Sequence, residues 1–256
     1  MDLKLTNRVA LVAGASRGIG QAIAESLARE GVHVAALGRT AAGVEETARR
    51  CAALGVKSLA LTADVSRPAD LDGAVERATK ELGAPTILVL AVAVVWEPHR
   101  LQFESDEVIA AQFQTDLTAA AWLCKRLLPG MVAANFGRVL ALSSLASQAG
   151  MPGGAGYAAA KAGLEGLMRG IALDYGKKGV TANALQLGFV ETERLASRLK
   201  DSSNTREKLA GAAAQKRILA PKEVGDAVAF LASPLAEGIT GATIPLTAGA
   251  HLNTLW

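Results

Sequence analysis

The chain has 256 residues, of which half are hydrophobic and a fifth are charged, and its formal net charge is only +3. This length can bury a large core in one α/β domain, and the small charge gives no support for a nucleic-acid partner. Two cysteines without metal-ligand spacing and three scattered histidines favour neither a disulfide framework nor a metal site. The start of the chain lacks a signal-peptide pattern, and the longest apolar run, residues 87–96, is too short to cross a bilayer. We therefore expect a cytoplasmic protein with no membrane partner.

Short β-branched runs alternate with amphipathic helical patterns along the chain. The predicted strands are residues 8–13, 33–38, 57–63, 86–94, 137–144, 180–187 and 242–247. The predicted helices are residues 18–30, 41–54, 68–82, roughly 105–134, 155–176 and 221–232. This alternation predicts a parallel sheet with helices on both faces. The fold class is therefore α/β, a doubly wound, Rossmann-like single domain over residues 1–256.

One segment, residues 192–217, falls outside this alternation. It is charged and helix-prone, and it is inserted between a predicted strand and a predicted helix. A long insertion of this kind is typical of a functional loop. We expect it to form a small helical lid over a site.

A glycine-rich loop lies between the first predicted strand and the first predicted helix. Gly14, Gly18 and Gly20 occur there with G-x-x-x-G-x-G spacing. Such a loop lets a diphosphate approach the backbone and the positive end of the helix. The strand before it and the amphipathic helix after it are the required context, so we predict a dinucleotide site that also includes Ser16 and Ile19. A tight turn without a ligand is the alternative.

The end of the second predicted strand indicates which dinucleotide is bound. It has Gly38 and Arg39 where an acidic residue would bind an adenosine ribose as a diol, and Arg17 lies in the glycine loop. Arginine pairs with a 2′-phosphate, whereas a carboxylate repels it. The sequence thus favours NADP over NAD, unless both arginines are only solvated surface residues.

The stretch "AGYAAAKAGLEGL", residues 155–167, carries one Tyr and one Lys four residues apart. Positions i and i+4 share one face of a helix, so Tyr157 and Lys161 lie together with only alanines between them. A core Tyr beside a solvated Lys is the ordinary interpretation of this spacing when it stands alone.

Taken with the glycine loop, these residues resemble the short-chain dehydrogenase/reductase family over nearly the whole chain. The residues "ADV" at 63–65 resemble the family's adenine-contacting turn, here Asp64 and Val65. The strand at 137–144 ends at Ser144, thirteen residues before Tyr157, as in the family. The similarity is closest to the 3-oxoacyl-thioester reductase branch.

This resemblance implies an NADP(H)-dependent oxidoreductase that reduces a ketone to a secondary alcohol. Tyr157 would be the general acid and base, and an ammonium beside it favours the ionised phenol. Lys161 would also contact the nicotinamide ribose, and Ser144 would hydrogen-bond the substrate oxygen. The nicotinamide would be contacted by residues after the sixth strand: Gly188, Val190 and Thr192. The family's paired long helices further imply a homotetramer or homodimer.

Three positions depart from the family pattern. The fourth strand ends in Leu90–Ala93, "LAVA", instead of Asn-Asn-Ala-Gly, and Leu187 precedes Gly188 where the family has Pro. Asp116 stands where the family has its fourth catalytic residue, an Asn, and an ionised Asp donates no hydrogen bond. Two alternatives therefore stay open: an enzyme of this fold with another reaction, such as dehydration or epimerisation, and a non-catalytic NADP-binding protein.

The residues expected to surround the substrate are mostly apolar or small. They are Trp96, Leu145, Ala146, the loop 148–156, Phe189 and the segment 192–217. A hydrophobic ketone suits such a pocket. The basic residues of segment 193–217 would attract an acyl-carrier or coenzyme A thioester, or they are simply a solvated helix surface.

Overall fold

Seven parallel strands form one sheet in the order β3-β2-β1-β4-β5-β6-β7. The computed structural model describes residues 1–94, 97–198 and 203–252. Within these residues the strands are β1 (Val9–Ala13), β2 (His33–Gly38), β3 (Ser58–Thr62), β4 (Ile87–Leu90), β5 (Gly137–Ser144), β6 (Val180–Leu187) and β7 (Thr243–Leu246).

Helices connect successive strands and cover both faces of the sheet. They are α1 (Gly18–Arg29), α2 (Ala41–Ala52), α3 (Pro68–Leu82), α4 (Asp106–Phe113), α5 (Ala119–Ala133), α6 (Ala146–Ala149), α7 (Ala155–Tyr175), α8 (Glu193–Arg198), α9 (Ser203–Gly211) and α10 (Pro221–Ala232). Short 3-10 turns lie at Leu101–Phe103, Gly176–Lys178, Pro234–Ala236 and Ala250–Leu252. In the part of the chain that the structure describes, no helix has the length and apolar character needed to cross a bilayer.

Alternation along the buried strands divides the core into two layers. In β1, Ala10 and Val12 pack with the side chains of α1, α2 and α10. Leu11 and Ala13 point the other way and pack with α3, α5 and α7. Both layers are needed because a parallel sheet exposes two apolar faces. The predicted doubly wound α/β fold is thereby confirmed.

The strand order reverses between β1 and β4, and this reversal opens a crevice at the sheet edge. From β1 the chain goes to β2 on one side, and β4 later pairs with β1 on the other. Ligands of doubly wound sheets bind at such a point, beyond the carboxyl ends of the strands. The glycine loop, the segment after β4, Ser144 and the residues after β6 all emerge at this edge.

The fourth strand is shorter than the predicted 86–94, because it ends at Leu90. Leu90 is the last residue in register with both neighbours, Ala13 of β1 and Ala141 of β5. Beyond it, the backbone of residues 91–94 bonds partly to side chains of helical segments instead of to strands. The apolar run led to the prediction of a strand over all of residues 86–94. Composition does not show whether the backbone bonds to neighbouring strands or to side chains.

The single helix predicted over 105–134 is interrupted by a π-helical turn. Gln114–Thr118 forms this turn between α4 and α5, and Asp116 lies within it. Such turns are rare and often mark functional positions. The apolar periodicity continues through the turn, so nothing in the residue pattern distinguishes it from an α-helix. By contrast, the helical character predicted for residues 192–217 is confirmed by α8 and α9.

Candidate active site

A cavity of about 260 Å³ opens at the crevice between the carboxyl ends of the strands. It brings together three side chains that the sequence singled out, Ser144, Tyr157 and Lys161. Five other predicted contacts also line it: Ile19, Gly188, Phe189, Val190 and Thr192. Leu145 and Ala146 were expected at the substrate pocket but are not among its lining residues, because the chain turns there into α6 and Ala146 is buried. Trp96 lies outside the described residues.

The glycine loop is shaped by close backbone contacts. Gly14 has φ +89°, and a Cβ built on it would lie 2.6 Å from the carbonyl oxygen of Ala91. A Cβ on Gly20 would collide with the carbonyl oxygen of Gly14. The loop is also held from α2, where the buried hydroxyl of Thr47 donates to the oxygen of Ala15 at 2.7 Å. These contacts require glycine at both positions and fix the course of the loop into the start of α1.

The two arginines predicted to recognise a 2′-phosphate are both exposed. Arg17 precedes α1, and Arg39 follows β2. Asp64 lies near Arg39. Although burial acts in the opposite direction, hydrogen bonds from the backbone N–H and hydroxyl of Ser66, with the charges of Arg39 and Arg67, lower the pKa of Asp64. Asp64 therefore presents a carboxylate at the turn that includes Val65.

Lys161 is buried beneath Tyr157, with only 2% of its surface exposed. Its Nζ lies 5.7 Å from the centre of the Tyr157 ring. It donates to the backbone oxygen of Leu142 at 3.0 Å and to that of Val92 at 3.4 Å. The ordinary interpretation of a solvated Lys is therefore wrong for this pair. A buried ammonium needs such acceptors because its desolvation is costly.

Ser144 stands at the end of β5 with its hydroxyl oriented by the next turn. Its Oγ accepts a hydrogen bond from the backbone N–H of Ala146 at 3.2 Å. A hydroxyl has one proton and two lone pairs. With one lone pair engaged, its O–H can donate to an oxygen atom in the cavity.

Asp116 is buried in the π-turn behind Lys161, with 1% of its surface exposed. Its Oδ1 accepts from the backbone N–H of Val94 at 2.9 Å, while Oδ2 has no hydrogen-bond partner within the described residues. Burial raises the pKa of Asp116, and the charge of Lys161, the Val94 hydrogen bond and the charge of Arg194 oppose this rise only in part. Arg194 donates to the carbonyl oxygen of the same residue, Val94, at 3.3 Å.

Several polar residues beside the cavity were not singled out from the sequence. Arg194 was noted only among the basic residues of its segment, yet it lines the cavity. Glu165 accepts hydrogen bonds from Ser143 and Ser147, which flank Ser144 in the chain. Glu165 lies four residues after Lys161, so it continues the spacing of Tyr157 and Lys161 along one helix face. That repeated spacing was the available signal.

The chain is similar to known proteins over nearly its whole length. A family model described as enoyl-(acyl carrier protein) reductase matches residues 14–251. The 3-oxoacyl-(acyl-carrier-protein) reductase FabG of Pseudomonas aeruginosa is 36% identical over 251 residues, which cover 98% of this chain and 100% of that protein. The protein of the same name from Escherichia coli is 33% identical over 253 residues, with the same coverage. A solved structure described as a short-chain alcohol dehydrogenase from Sinorhizobium meliloti matches with a TM-score of 0.93 at 30% identity, covering 99% of this chain and 100% of that one.

The buried carboxyl of Asp116 predicts a pH-dependent cost to stability. Because its pKa is raised in the folded protein, the folded state binds the proton more tightly than the unfolded chain does. Ionisation therefore costs stability as the pH rises from the ordinary Asp value of about 3.9 through the raised value, and the cost is constant above it. Asp116→Asn, which cannot ionise, should gain stability relative to the unmodified protein over the pH range that begins at about 4 and in which the buried carboxyl ionises.

Urea unfolding of both proteins across this range measures the difference. Asp116→Ala is the control, because it removes the acceptor of the Val94 N–H as well as the charge. It should therefore be less stable than Asp116→Asn at every pH. A constant difference between Asp116→Asn and the unmodified protein would contradict the prediction.

Proposed function

This chain belongs to the short-chain dehydrogenase/reductase family, and we propose that it uses NADPH to reduce a hydrophobic ketone to a secondary alcohol. A 3-oxoacyl thioester is one such ketone, and the curated relatives named above act on substrates of this kind by their names. The observation that carries the proposal is the convergence of Ser144, Tyr157 and a buried Lys161 on one cavity. Its apolar walls, which include Leu187, Phe189 and Leu195, suit an apolar substrate.

The residues at the crevice fit a dinucleotide. The tightly packed glycine loop would bring a diphosphate to the start of α1, and Arg17 and Arg39 would hold a 2′-phosphate. Asp64 and Val65 would contact the adenine. At the other end, Ile19, Gly188, Val190 and Thr192 line the cavity where a nicotinamide would lie. The nicotinamide would supply a hydride to the carbonyl carbon.

The protein's own residues would bind and protonate the carbonyl oxygen. The hydroxyls of Ser144 and Tyr157 would each donate a hydrogen bond to this oxygen, which would orient the carbonyl carbon for reduction. As the carbon is reduced, the Tyr157 proton would pass to the oxygen to complete the alcohol. The negative charge left on the phenol would be stabilised by Lys161, which the oxygens of Leu142 and Val92 hold in place.

Asp116 would support the same lysine, Lys161, from the π-turn behind it. It would compensate the buried positive charge of Lys161 and hold the backbone N–H of Val94, a residue whose carbonyl oxygen is bonded to Arg194. The turnover rates of Asp116→Asn and Asp116→Ala test this role. If Asp116 acts by accepting the hydrogen bond from Val94 and keeping the neighbouring groups in position, Asp116→Asn should keep or raise turnover, while Asp116→Ala should lower it.

The proposed reaction predicts that Tyr157→Phe abolishes most ketone reduction. The change removes only the hydroxyl, so folding and NADPH binding should survive. Loss of acid–base assistance costs about 10²- to 10⁴-fold in rate. The assay follows NADPH absorbance with a panel of ketones. Tyr175→Phe is the matched control, because the chain's other tyrosine lies at the far end of α7.

The outcomes separate the candidate functions. Ketone reduction by Tyr157→Phe at the unmodified rate would show that the phenol is not the acid. A product formed without net use of NADPH would support dehydration or epimerisation. Binding of NADPH without turnover of any substrate would support a non-catalytic protein.

The cofactor proposal predicts a preference for NADPH over NADH that depends on Arg39. Arg39→Ala should reduce this preference about tenfold, consistent with the loss of a hydrogen bond between charged groups. A single change at Arg39 is a cleaner test than introducing Asp at Gly38, because a Cβ there would lie 3.1 Å from both Ser16 Oγ and Val44 Cγ1. Arg49→Ala, an exposed arginine of α2 paired with Glu46, is the control. Tighter binding of NADH by the unmodified protein would overturn the assignment.

We also propose a homodimer or homotetramer assembled through α5 and α7. A groove of about 420 Å³ lies between these helices, lined by apolar residues including Leu128 and Leu167. On α7, Leu173 is 86% exposed. Exposed apolar surface of this kind favours self-association.

Light scattering at micromolar concentration tests the assembly. Leu173→Asp should shift the protein towards smaller species, whereas Leu101→Asp, at an exposed leucine outside both helices, should not. A monomeric unmodified protein would overturn the proposal.

The cytoplasmic location stays a prediction from the sequence.

A further inference from the structure

Four polar side chains meet immediately behind Ser144. They come from four successive elements: Ser143 of β5, Ser147 of α6, Glu165 of α7 and Gln186 of β6. Ser143 Oγ donates to Glu165 Oε1 at 2.6 Å, and Ser147 Oγ lies 2.5 Å from the same oxygen. Gln186 Nε2 donates to Ser147 Oγ at 3.1 Å. The carboxylate is therefore the centre of a connected network.

We propose that Glu165 is a positioning residue, which holds Ser144 in the orientation needed to bind the substrate oxygen. The inference rests on the proposed function, because it assigns Glu165 a role through Ser144. Glu165 itself would touch neither substrate nor cofactor.

The argument begins with the turn that follows β5. Ser147 Oγ lies 2.7 Å from the backbone oxygen of Ser144 as well as beside Glu165. The single proton of this hydroxyl has two acceptors, and the Gln186 amide donates to the hydroxyl from a third side. The Ser147 oxygen is thus fixed in place whichever acceptor takes the proton.

Because this turn is fixed, the position of the Ser144 hydroxyl is fixed as well. The backbone N–H of Ala146, between Ser144 and Ser147, donates to Ser144 Oγ. If the turn were to relax, this N–H would no longer point at Ser144 Oγ, and the hydroxyl would rotate among its staggered positions. Substrate binding would then have to select one orientation from several.

Burial makes the network costly to break. Ser143 is 4% exposed and Gln186 is 1% exposed. Removal of the Glu165 carboxylate would leave the buried hydroxyl of Ser143 without this acceptor, at a cost greater than the bond normally contributes. Hydrogen bonds to a charged acceptor are also stronger than neutral ones.

Glu165 and Lys161 together attach α7 to the end of β5. Lys161 bonds to Leu142, and four residues later Glu165 bonds to Ser143 and Ser147. Tyr157 lies four residues before Lys161 on the same face of the helix. The two contacts therefore set the position of Ser144 relative to Tyr157, the two hydroxyls that would share the substrate oxygen.

The first test compares two substitutions at Glu165. Glu165→Ala should lower kcat about ten- to a hundredfold, since displacement of a reacting group by about 1 Å costs about a hundredfold. The KM for NADPH should stay within about twofold, because the cofactor's proposed contacts lie elsewhere. Glu165→Gln keeps an acceptor oxygen and should recover most of kcat. Asp174→Asn, which neutralises an exposed acid on the same helix, is the matched control. An unchanged kcat in Glu165→Ala would overturn the proposal.

A double substitution separates positioning from general structural damage. If Glu165 acts through Ser144, then Glu165→Ala should cost little further rate in a Ser144→Ala protein. Losses that multiply would overturn the proposal, because they would show that Glu165 acts independently of Ser144.

A readout without turnover keeps the two proposals distinguishable. Amide hydrogen exchange of residues 144–147 should accelerate in Glu165→Ala and not in Asp174→Asn. Unchanged exchange would overturn the positioning role whatever the activity. If exchange accelerates but the unmodified protein reduces no ketone, the proposed function fails, while Glu165 is still shown to order the Ser144 turn.

Discussion

The burial of one ammonium group determines much of the arrangement around the crevice. Lys161 has almost no contact with solvent, so its charge must be matched by oxygen atoms of the protein. It takes them from Leu142, near the carboxyl end of β5, and from Val92, beyond the end of β4. Asp116 lies behind the same group on a third element, the π-turn. A helix, a sheet edge and an irregular segment are thus joined at a single point, which lies directly below Tyr157.

Most of the fold followed from periodicity, because the buried strands and amphipathic helices are governed by which faces are apolar. The errors occurred where the hydrogen-bond partners of the backbone change while the apolar pattern of the side chains does not. Residues 91–94 are as apolar as a strand, yet Val94 bonds to Asp116 across a gap of many residues. The π-turn at Gln114–Thr118 is likewise a change of hydrogen-bond register that leaves the apolar pattern intact. Neither is encoded in local composition.

The candidate site was predictable to the extent that its residues lie at fixed spacings. Tyr157 and Lys161 share a helix turn, and the glycine loop lies within eight residues of chain, so both were visible in the sequence. Arg194 and Glu165 were not singled out, since each meets the site through contacts with distant residues, Val94 and Ser147. The burial of Lys161, which excludes the ordinary interpretation of a solvated lysine, is also a property of the tertiary structure alone.

The segment after β4 has a consequence for how this region can vary. Its ties to the rest of the protein run through backbone groups: the oxygen of Val92 to Lys161, the N–H of Val94 to Asp116, and the oxygen of Val94 to Arg194. The carbonyl of Ala91 closely approaches Gly14 in the same way. Small side chains can therefore be exchanged here with little effect on those ties, whereas insertion or deletion of one residue would displace every one of them. The contacts of residues 91–94 depend on the number of residues in the segment much more than on the identity of its side chains.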